Sequence, residues 1–213
     1  MSAKDLRVEP LPSQDANRFV QRVHYSGKIV QNSCLHLGVF IAGGLHGVMQ
    51  FGPSMDKRKL WPLVTDTPWH GFLELNRMAF DSALPRNSES RALGVAFRLF
   101  RKHYAHVQWI VSFADGTQCG DGTIYRASGF ALTGITVNRT RRMGAVQIPG
   151  FQMRYIKFLD PTALARLTVP VIPFSEIERR GASMYRGQTR VKVAGVVVPP
   201  PPGRFDTDPP APL

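Results

Sequence analysis

The sequence predicts an α/β (α+β) protein in which helices flank a mixed central sheet. The chain has 213 residues, of which 43% are apolar, enough for one substantial domain. Residues 71–115 follow the order strand, polar loop, amphipathic helix and buried strand. A crossover of this kind makes its two strands parallel, and the connection between them is right-handed. Two apolar segments around Gly43 and Gly44 predict an additional hairpin.

The N-terminal part predicts one helix before this hairpin. Apolar residues recur at helical spacing within residues 13–25, and Ser13 or Asp15 can cap the first turn. We expect Gly27 to end the helix. The apolar segments on either side of the Gly43–Gly44 pair then form two strands.

The central strand, residues 71–80, is expected to alternate strictly between two faces. One face would carry Phe72, Glu74, Asn76 and Met78, and the other Leu73, Leu75, Arg77 and Ala79. Neither face is uniformly apolar, so this strand is expected to border a polar region. An amphipathic helix over residues 90–104 and a buried strand over residues 107–115 complete the crossover.

The C-terminal half predicts shorter elements. Thr123 can start a short helix that Gly129 ends, and strands follow from Ala131 and over residues 152–158. The pair Asp160–Pro161 predicts another short helix. We assign residues 1–175 to one catalytic domain, 176–198 to a basic segment and 199–213 to a proline-rich, disordered tail.

The charge balance favours a polyanionic partner. Lys and Arg number 27 against 15 Asp and Glu, which gives a net charge of +12. Lys and Arg release counterions when they neutralise phosphates, so double-stranded DNA is the expected partner. Simple solubility and membrane headgroups are weaker alternatives, because the charge is clustered and no amphipathic helix accompanies it. The candidate DNA-binding residues are Arg139, Arg141, Arg142, Arg179 and Arg180.

The sequence does not favour a membrane protein, a secreted protein, or a protein built around disulfides or zinc. No apolar run approaches the length of a membrane span, and the first residues lack the apolar core of a signal peptide. We therefore expect a soluble, intracellular protein without a membrane partner. Cys34 and Cys119 are too few for a disulfide framework or a zinc site, and we expect reduced thiols.

Ligands of such sheets lie beyond the carboxyl ends of parallel strands. Arg77, the loop of residues 86–90 and Asp115 fall there. The loop opens a helix, so free N–H groups and the helix dipole make it a candidate anion site. An ordinary cap formed by Asn87 or Ser88 is the simpler interpretation of this segment alone.

This layout resembles the GNAT-type acyltransferase superfamily, which holds the pyrophosphate of coenzyme A on a loop between a central strand and the next helix. The resemblance implies acetyl-CoA or a related acyl donor as cofactor. Of the superfamily's spaced glycines, only Gly94 is present, and the acidic Glu89 lies nearby. The matching cofactor-binding residues are Arg86, Asn87, Ser88 and Arg91.

A narrower resemblance rests on four ordered motifs: LELNRMAF, NSESRALG, VSFADG and GTIYRASGF. Together they are similar to the Mom DNA-modification family of Mu-like phages, from about His24 to Phe158. That resemblance implies a GNAT-like fold and the conversion of adenine in DNA to an N6-carbamoylmethyl derivative. This product protects phage DNA from restriction, so the implied place of action is the host cytoplasm.

Carried over motif by motif, the resemblance implies a set of site residues. The catalytic group would comprise Arg77, Ser90, Asp115 and Tyr125. His24 and Tyr25 would form a second group and could bind iron, since histidine and tyrosinate suit that metal.

Each catalytic candidate has a structural alternative. Asp115 could accept a proton from the adenine amine, or simply form a turn. Arg77 could stabilise an oxyanion, or pair with Glu74 or Asp81. Ser90 could contact cofactor or substrate, or act as a cap. In GNAT-like enzymes a tyrosine placed like Tyr125 protonates the departing thiolate; the alternative is a core ring.

Chemistry on adenine within a duplex requires the base to be flipped out. Candidate stacking residues are Tyr25, Trp61, Trp69 and Phe80, although aromatic side chains usually belong to cores. Two alternative functions remain open. One is an N-acetyltransferase acting on a small amine or peptide, and the other is a DNA-binding protein without catalysis.

Overall fold

The structure is a computed structural model that describes residues 2–115, 122–143, 146–179, 184–186 and 189–191. The helices are α1 (Ser13–Val23), α2 (Lys57–Leu60), α3 (Ser88–His103), α4 (Thr123–Ala127) and α5 (Ser175–Arg179). The strands are β1 (Arg7–Pro10), β2 (Leu35–Ile41), β3 (Gly44–Gly52), β4 (Phe72–Phe80), β5 (Trp109–Asp115), β6 (Ala131–Met143), β7 (Val146–Phe158), β8 (Met184–Arg186) and β9 (Thr189–Val191).

The larger sheet has seven strands in the order β1-β2-β3-β4-β5-β7-β6. Strands β1 to β4 pair antiparallel, whereas β4 and β5 pair parallel, with Phe72 opposite Trp109. The helix between them, α3, is the predicted crossover. The predicted α/β class with a mixed sheet is therefore confirmed.

The hairpin between β2 and β3 is confirmed, but its turn lies one residue earlier than predicted. Ala42 and Gly43 both have positive φ, 49° and 82°, and Gly44 is already the first residue of β3. Two consecutive left-handed residues match the right-handed twist of the flanking strands, as in a type I′ turn. Ala42 adopts this conformation although glycine or asparagine would do so more easily.

Strand β4 contains an irregularity that the predicted strict alternation missed. Gln50 lies opposite Arg77 but the next residue, Phe51, lies opposite Leu75, so Asn76 is an extra residue. A bulge of this kind places two residues opposite one and shifts the alternation. Leu75 and Asn76 are consequently both buried. Arg77 lies on the face of Gln50, and Leu75 on the face of Phe51.

Helices α1 and α3 pack on opposite faces of the β2–β4 part of the sheet. On one face Phe19 and Val20 of α1 contact Val48 and Ala79. On the other face the ring of Phe51 lies 4.9 Å from that of Phe100 in α3. Alternation along β3 directs Val48 and Phe51 to opposite sides, which explains why each helix needs an apolar stripe.

The predicted helices have nearly the observed bounds. Helix α1 ends at Val23, and Gly27 (φ 59°) lies in the turn that follows. Helix α3 starts two residues earlier than predicted, after a left-handed Asn87. Gly94 therefore lies inside α3 and not in its preceding loop. Instead of an α-helix after Pro161, a single 3-10 turn covers Ala163–Arg166.

The chain divides into two compact units, which are described separately. The first unit comprises residues 1–112, 127–130 and 156–170, and the second comprises 113–126, 131–155 and 171–213. The proposed proline-rich tail, 199–213, lies outside the described residues, as does part of the basic segment 176–198. No helix in the described part of the chain has the length and apolar character of a membrane span.

Candidate active site

Arg77 lies on β4 in the first unit, directly after the bulge. Its Nε donates to the carbonyl oxygen of Lys28 at 3.1 Å, and its Nη1 to that of Asn76 at 2.7 Å. Among the described residues no carboxylate lies within ion-pair distance of its guanidinium. The alternative that Arg77 pairs with Glu74 or Asp81 is therefore wrong; Asp81 instead contacts His46 at 3.0 Å. The remaining guanidinium donors suit an anion.

Glu74, three residues before Arg77, is a polar group whose role sequence reasoning missed. Burial raises the pKa of its carboxyl above the ordinary value of 4.5. Hydrogen bonds with Ser54 and Asn76 and the charge of Arg77 oppose this rise without cancelling it. The sequence indicated a polar role for this strand, because it carries one acidic and one basic side chain. It does not show how deeply the acidic side chain is buried.

The segment of residues 28–34 is attached to β3 and β4 beside Arg77. Ser33 Oγ donates to Asn76 Oδ1 at 3.1 Å, and the N–H of Cys34 donates to the carbonyl of Phe51 at 2.8 Å. Gly52 is needed here, because an added Cβ would lie 2.2 Å from the carbonyl oxygen of Asn32. This attachment fixes the Lys28 carbonyl that orients Arg77.

A buried polar group lies between α1 and the sheet. Gln50, opposite Arg77, is fully buried; its Nε2 donates to Asn17 Oδ1 at 2.8 Å and lies 3.2 Å from His36 Nδ1. Burial lowers the pKa of His36, so its imidazole stays neutral over a wider pH range. This group positions β3 against α1 and thereby supports the strand opposite Arg77.

His24 and Tyr25 were predicted on the first helix, but α1 ends at Val23, so His24 is its C-cap residue and Tyr25 lies in the turn that follows. His24 Nδ1 lies 2.8 Å from Ser26 Oγ, and the two rings have centroids 4.3 Å apart. The described residues contain no group of three or more His, Cys, Asp or Glu side chains that could hold a metal ion. The suggested iron site therefore gains no support from the ligands that the structure describes.

The start of α3, where the cofactor was predicted, fits an anion in part. Arg86 and Arg91 are exposed on either side, and the first N–H groups of a helix lack intrahelical acceptors. Ser88, however, is fully buried and its hydroxyl donates to the carbonyl of Pro85 at 2.6 Å, so it closes the turn. Asn87 forms no side-chain cap, and Ser90 Oγ donates to the carbonyl of Asn87.

The second unit holds the other two catalytic candidates. Asp115 is the last residue of β5 and is half-buried, as predicted for a strand end. Tyr125 lies within α4, half-buried, with its ring centroid 5.3 Å from that of Tyr155. Gly122 permits this packing, because an added Cβ would lie 2.4 Å from the Tyr155 hydroxyl. Tyr125 thus lies on a short helix held against an aromatic neighbour.

The predicted DNA-binding arginines are only partly described. Arg139, Arg141 and Arg142 lie on β6, whose backbone alone is described at these positions. Arg179 ends α5, is exposed and pairs with Glu176 at 2.8 Å. Arg180 lies outside the described residues. Their predicted role in DNA binding remains a prediction.

This mixed sheet, with its parallel β4–β5 pair and a helix crossing between them, defines a GNAT-type acyltransferase fold. Spermidine/spermine N-acetyltransferase SpeG from Vibrio cholerae has a similar structure, with a TM-score of 0.52 and 13% identity over 77% of this chain and 98% of that one. A Vibrio cholerae spermidine N-acetyltransferase in complex with CoA and spermine gives 0.50 and 12%, over 72% and 96% of the chains. Identities this low show the fold alone.

Sequence comparison adds the family. The model of the Mom protein family matches residues 5–148. The methylcarbamoylase mom of Escherichia phage Mu is 38% identical over 194 residues, which cover 78% of this chain and 80% of the phage protein. The chain belongs to the Mom protein family, as its four motifs predicted.

Proposed function

We propose that this protein is a transferase that modifies DNA by converting adenine to its N6-carbamoylmethyl derivative. The observation that carries the proposal is the 38% identity to the methylcarbamoylase of phage Mu over most of both chains. The GNAT-type fold supports a transfer reaction, and the net charge of +12 supports a DNA substrate. The modification would protect DNA from restriction in the cytoplasm of an infected host.

The chemistry assigns a task to the catalytic residues. The exocyclic amine of adenine is a weak nucleophile, because its lone pair is delocalised into the ring. A carboxylate such as Asp115 would accept the proton that the amine loses as its nitrogen bonds to the methylene carbon of the donor and the bond from that carbon to the leaving group breaks. Tyr125 would donate a proton to the leaving group. Arg77, with its free donors, would hold the developing negative charge, and Ser90 would contact donor or substrate.

The donor is proposed to be acetyl-CoA or a related acyl donor. Support comes from the fold, since the Vibrio cholerae spermidine N-acetyltransferase was solved in complex with CoA and spermine. In this chain Arg86, Arg91 and the N–H groups of the first turn of α3 after Ser88, whose own N–H donates to the carbonyl of Pro85, would hold phosphate groups. Acetyl-CoA itself would transfer its acetyl group through the carbonyl carbon and give N6-acetyladenine. The carbamoylmethyl product therefore requires a related donor that already carries the –CH2–CO–NH2 unit, with a leaving group on its methylene carbon.

The test is to express the chain in a bacterial host and digest the host DNA to nucleosides for mass spectrometry. A new adenine nucleoside with the mass of the carbamoylmethyl derivative supports the proposal, and its mass distinguishes it from N6-acetyladenine. Asp115→Ala and Tyr125→Phe should each reduce product by at least about 100-fold, while DNA retention on a heparin or DNA column stays nearly unchanged.

A matched control is Tyr104→Phe, which removes an exposed tyrosine hydroxyl at the end of α3 and should leave product unchanged. Full activity in both site variants would overturn the assignment of Asp115 and Tyr125. Unmodified DNA together with salt-sensitive DNA binding by the unaltered chain would instead favour a binding protein without catalysis.

A further inference from the structure

Two tryptophans of the first unit are unusually exposed. Trp61 and Trp69 have relative accessibilities of 40% and 41%, whereas Trp109 is fully buried. Their rings form an edge-to-face pair with centroids 5.3 Å apart. Large aromatic side chains supply most of a core, so an exposed pair indicates a contact surface.

One indole of the pair, that of Trp61, is anchored by a hydrogen bond. Trp61 Nε1 donates to the carbonyl oxygen of Thr67 at 2.6 Å, and Trp109 Nε1 donates to Thr67 Oγ1 at 3.0 Å. Thr67 itself is buried and donates to the carbonyl of Val64. The Trp61 ring is therefore oriented before a ligand binds and loses little further freedom on binding, which favours affinity.

Three consecutive cations adjoin the pair. Lys57, Arg58 and Lys59 form most of α2, and a cavity of about 390 Å³ is lined by Met55, Asp56, Lys57, Arg58, Lys59 and Trp69. Lys57 Nζ lies 4.7 Å from the centre of the Trp69 ring and 5.5 Å from that of Phe72. Of these three cations, only Lys59 has a carboxylate partner among the described residues, namely Asp56 at 3.5 Å.

The ammonium of Lys57 thus lies on aromatic rings, partly removed from water, near the thiol of Cys34 and without a carboxylate partner among the described residues. Burial also lowers the pKa of Lys57. A partly desolvated cation of this kind gains most from an anion that arrives with its own apolar surface. A DNA strand offers this combination, because each phosphate is followed by a sugar and a base.

We propose that residues 55–59, Trp61 and Trp69 form a DNA-contact surface, called here the basic–aromatic surface. Lys57 and Arg58 neutralise phosphates, and the indole rings contact the adjoining sugar or an unstacked base. The proposal rests on the proposed function, because it takes DNA as the substrate. It adds a contact site in the first unit to the arginines predicted on β6 and near α5.

DNA affinity measured against salt concentration tests the surface. With a fluorescently labelled duplex, Lys57→Ala/Arg58→Ala should weaken binding roughly ten-fold near 0.15 M salt and reduce the slope of log K against log salt by about 1.8. Arg98→Ala/Lys102→Ala, which removes two exposed cations of α3, is the charge-matched control and should change both values far less.

Tryptophan fluorescence gives a second readout. Acrylamide reaches only exposed indoles, so quenching reports on Trp61 and Trp69 and not on the buried Trp109. Duplex DNA should protect the unaltered chain from acrylamide, and at equal DNA concentration this protection should be smaller in Lys57→Ala/Arg58→Ala, which keeps all three tryptophans. Circular dichroism melting checks that each variant is folded.

Two results would overturn the proposal: equal affinity losses in the double variant and its charge-matched control, or no protection of tryptophan by DNA. Measurement of modified nucleosides tests the proposed function separately from the basic–aromatic surface. If DNA is modified while the basic–aromatic surface has no effect on binding, the proposed function stands and this surface is wrong. If no modification occurs but binding depends on Lys57 and Arg58, the basic–aromatic surface is supported and the proposed function is wrong.

Discussion

Glu74 and Arg77 are two residues of opposite charge on β4 that do not form an ion pair. Arg77 donates to two backbone carbonyls, while the Glu74 carboxyl is held by Ser54 and Asn76. The bulge at Asn76 explains this arrangement, because it rotates Arg77 to the α1 face after Glu74 has been placed opposite Gly52. The carboxyl is thus left partly buried without full charge compensation.

Glu74 should therefore destabilise the fold at neutral pH. Its folded-state pKa lies above the unfolded value of about 4.5, so between these two values the folded state binds more protons than the unfolded state. Stability then falls as pH rises through that window. Glu74→Gln removes this titration, and we expect a Tm higher by about 2 °C at pH 7, with no difference below pH 4.5.

Thermal unfolding followed by circular dichroism from pH 4 to pH 8 measures this effect. Glu89→Gln, a substitution in the first turn of α3, is the control and should show no such pH-dependent gain. A lower Tm for Glu74→Gln at pH 7 but not at pH 4 would contradict this prediction, because it would show that the ionised carboxylate stabilises the fold.

At the scale of elements, alanine substitution at two glycines is expected to change stability in opposite directions. Gly52 ends β3 where the segment of residues 28–34 covers it, and an added Cβ would lie 2.2 Å from a backbone oxygen. Gly94 lies inside α3, and nothing lies within 4 Å of its added Cβ. The first position requires glycine for close approach, whereas the second loses helix stability because of it.

Gly52→Ala should destabilise the fold by about 3 kcal/mol, since a backbone segment must move. Gly94→Ala should stabilise it by about 0.5–1 kcal/mol, because alanine is the better helix former. Urea denaturation midpoints measure both, with an unchanged m-value as the check that unfolding is comparable. An alanine at position 94 that destabilises the chain would contradict the open space around this position.

Local patterns predicted most elements, whereas irregularities between strands could not be predicted. Helices α1 and α3 follow from apolar spacing, and the β4–α3–β5 crossover follows from their order. The bulge at Asn76 depends on which residue of β3 lies opposite, and the left-handed Ala42 depends on the twist of two strands. Neither is encoded in one segment. The site shows the same limit: motif similarity selected Arg77, but burial of Glu74 required the packed structure.

At the scale of the whole molecule, the charge excess of +12 is spread over both compact units. Lys57 and Arg58 belong to the first unit, and the arginines of β6 and α5 to the second. If both units contact phosphates, affinity for DNA should depend on the sum of these contacts. If the charge serves solubility alone, it should not produce a specific number of released counterions.

The salt dependence of DNA binding by the full chain distinguishes these cases. Each neutralised phosphate contributes about −0.9 to the slope of log K against log salt, so seven contacts predict a slope of roughly −6. A slope between zero and about −2 would contradict a DNA interface that includes both units. Replacing the two cations of the first unit and the five candidate arginines of the second unit, separately and then together, should reduce the slope additively. The reason is that cations in different units neutralise different phosphates. The seven candidate cations are Lys57, Arg58, Arg139, Arg141, Arg142, Arg179 and Arg180.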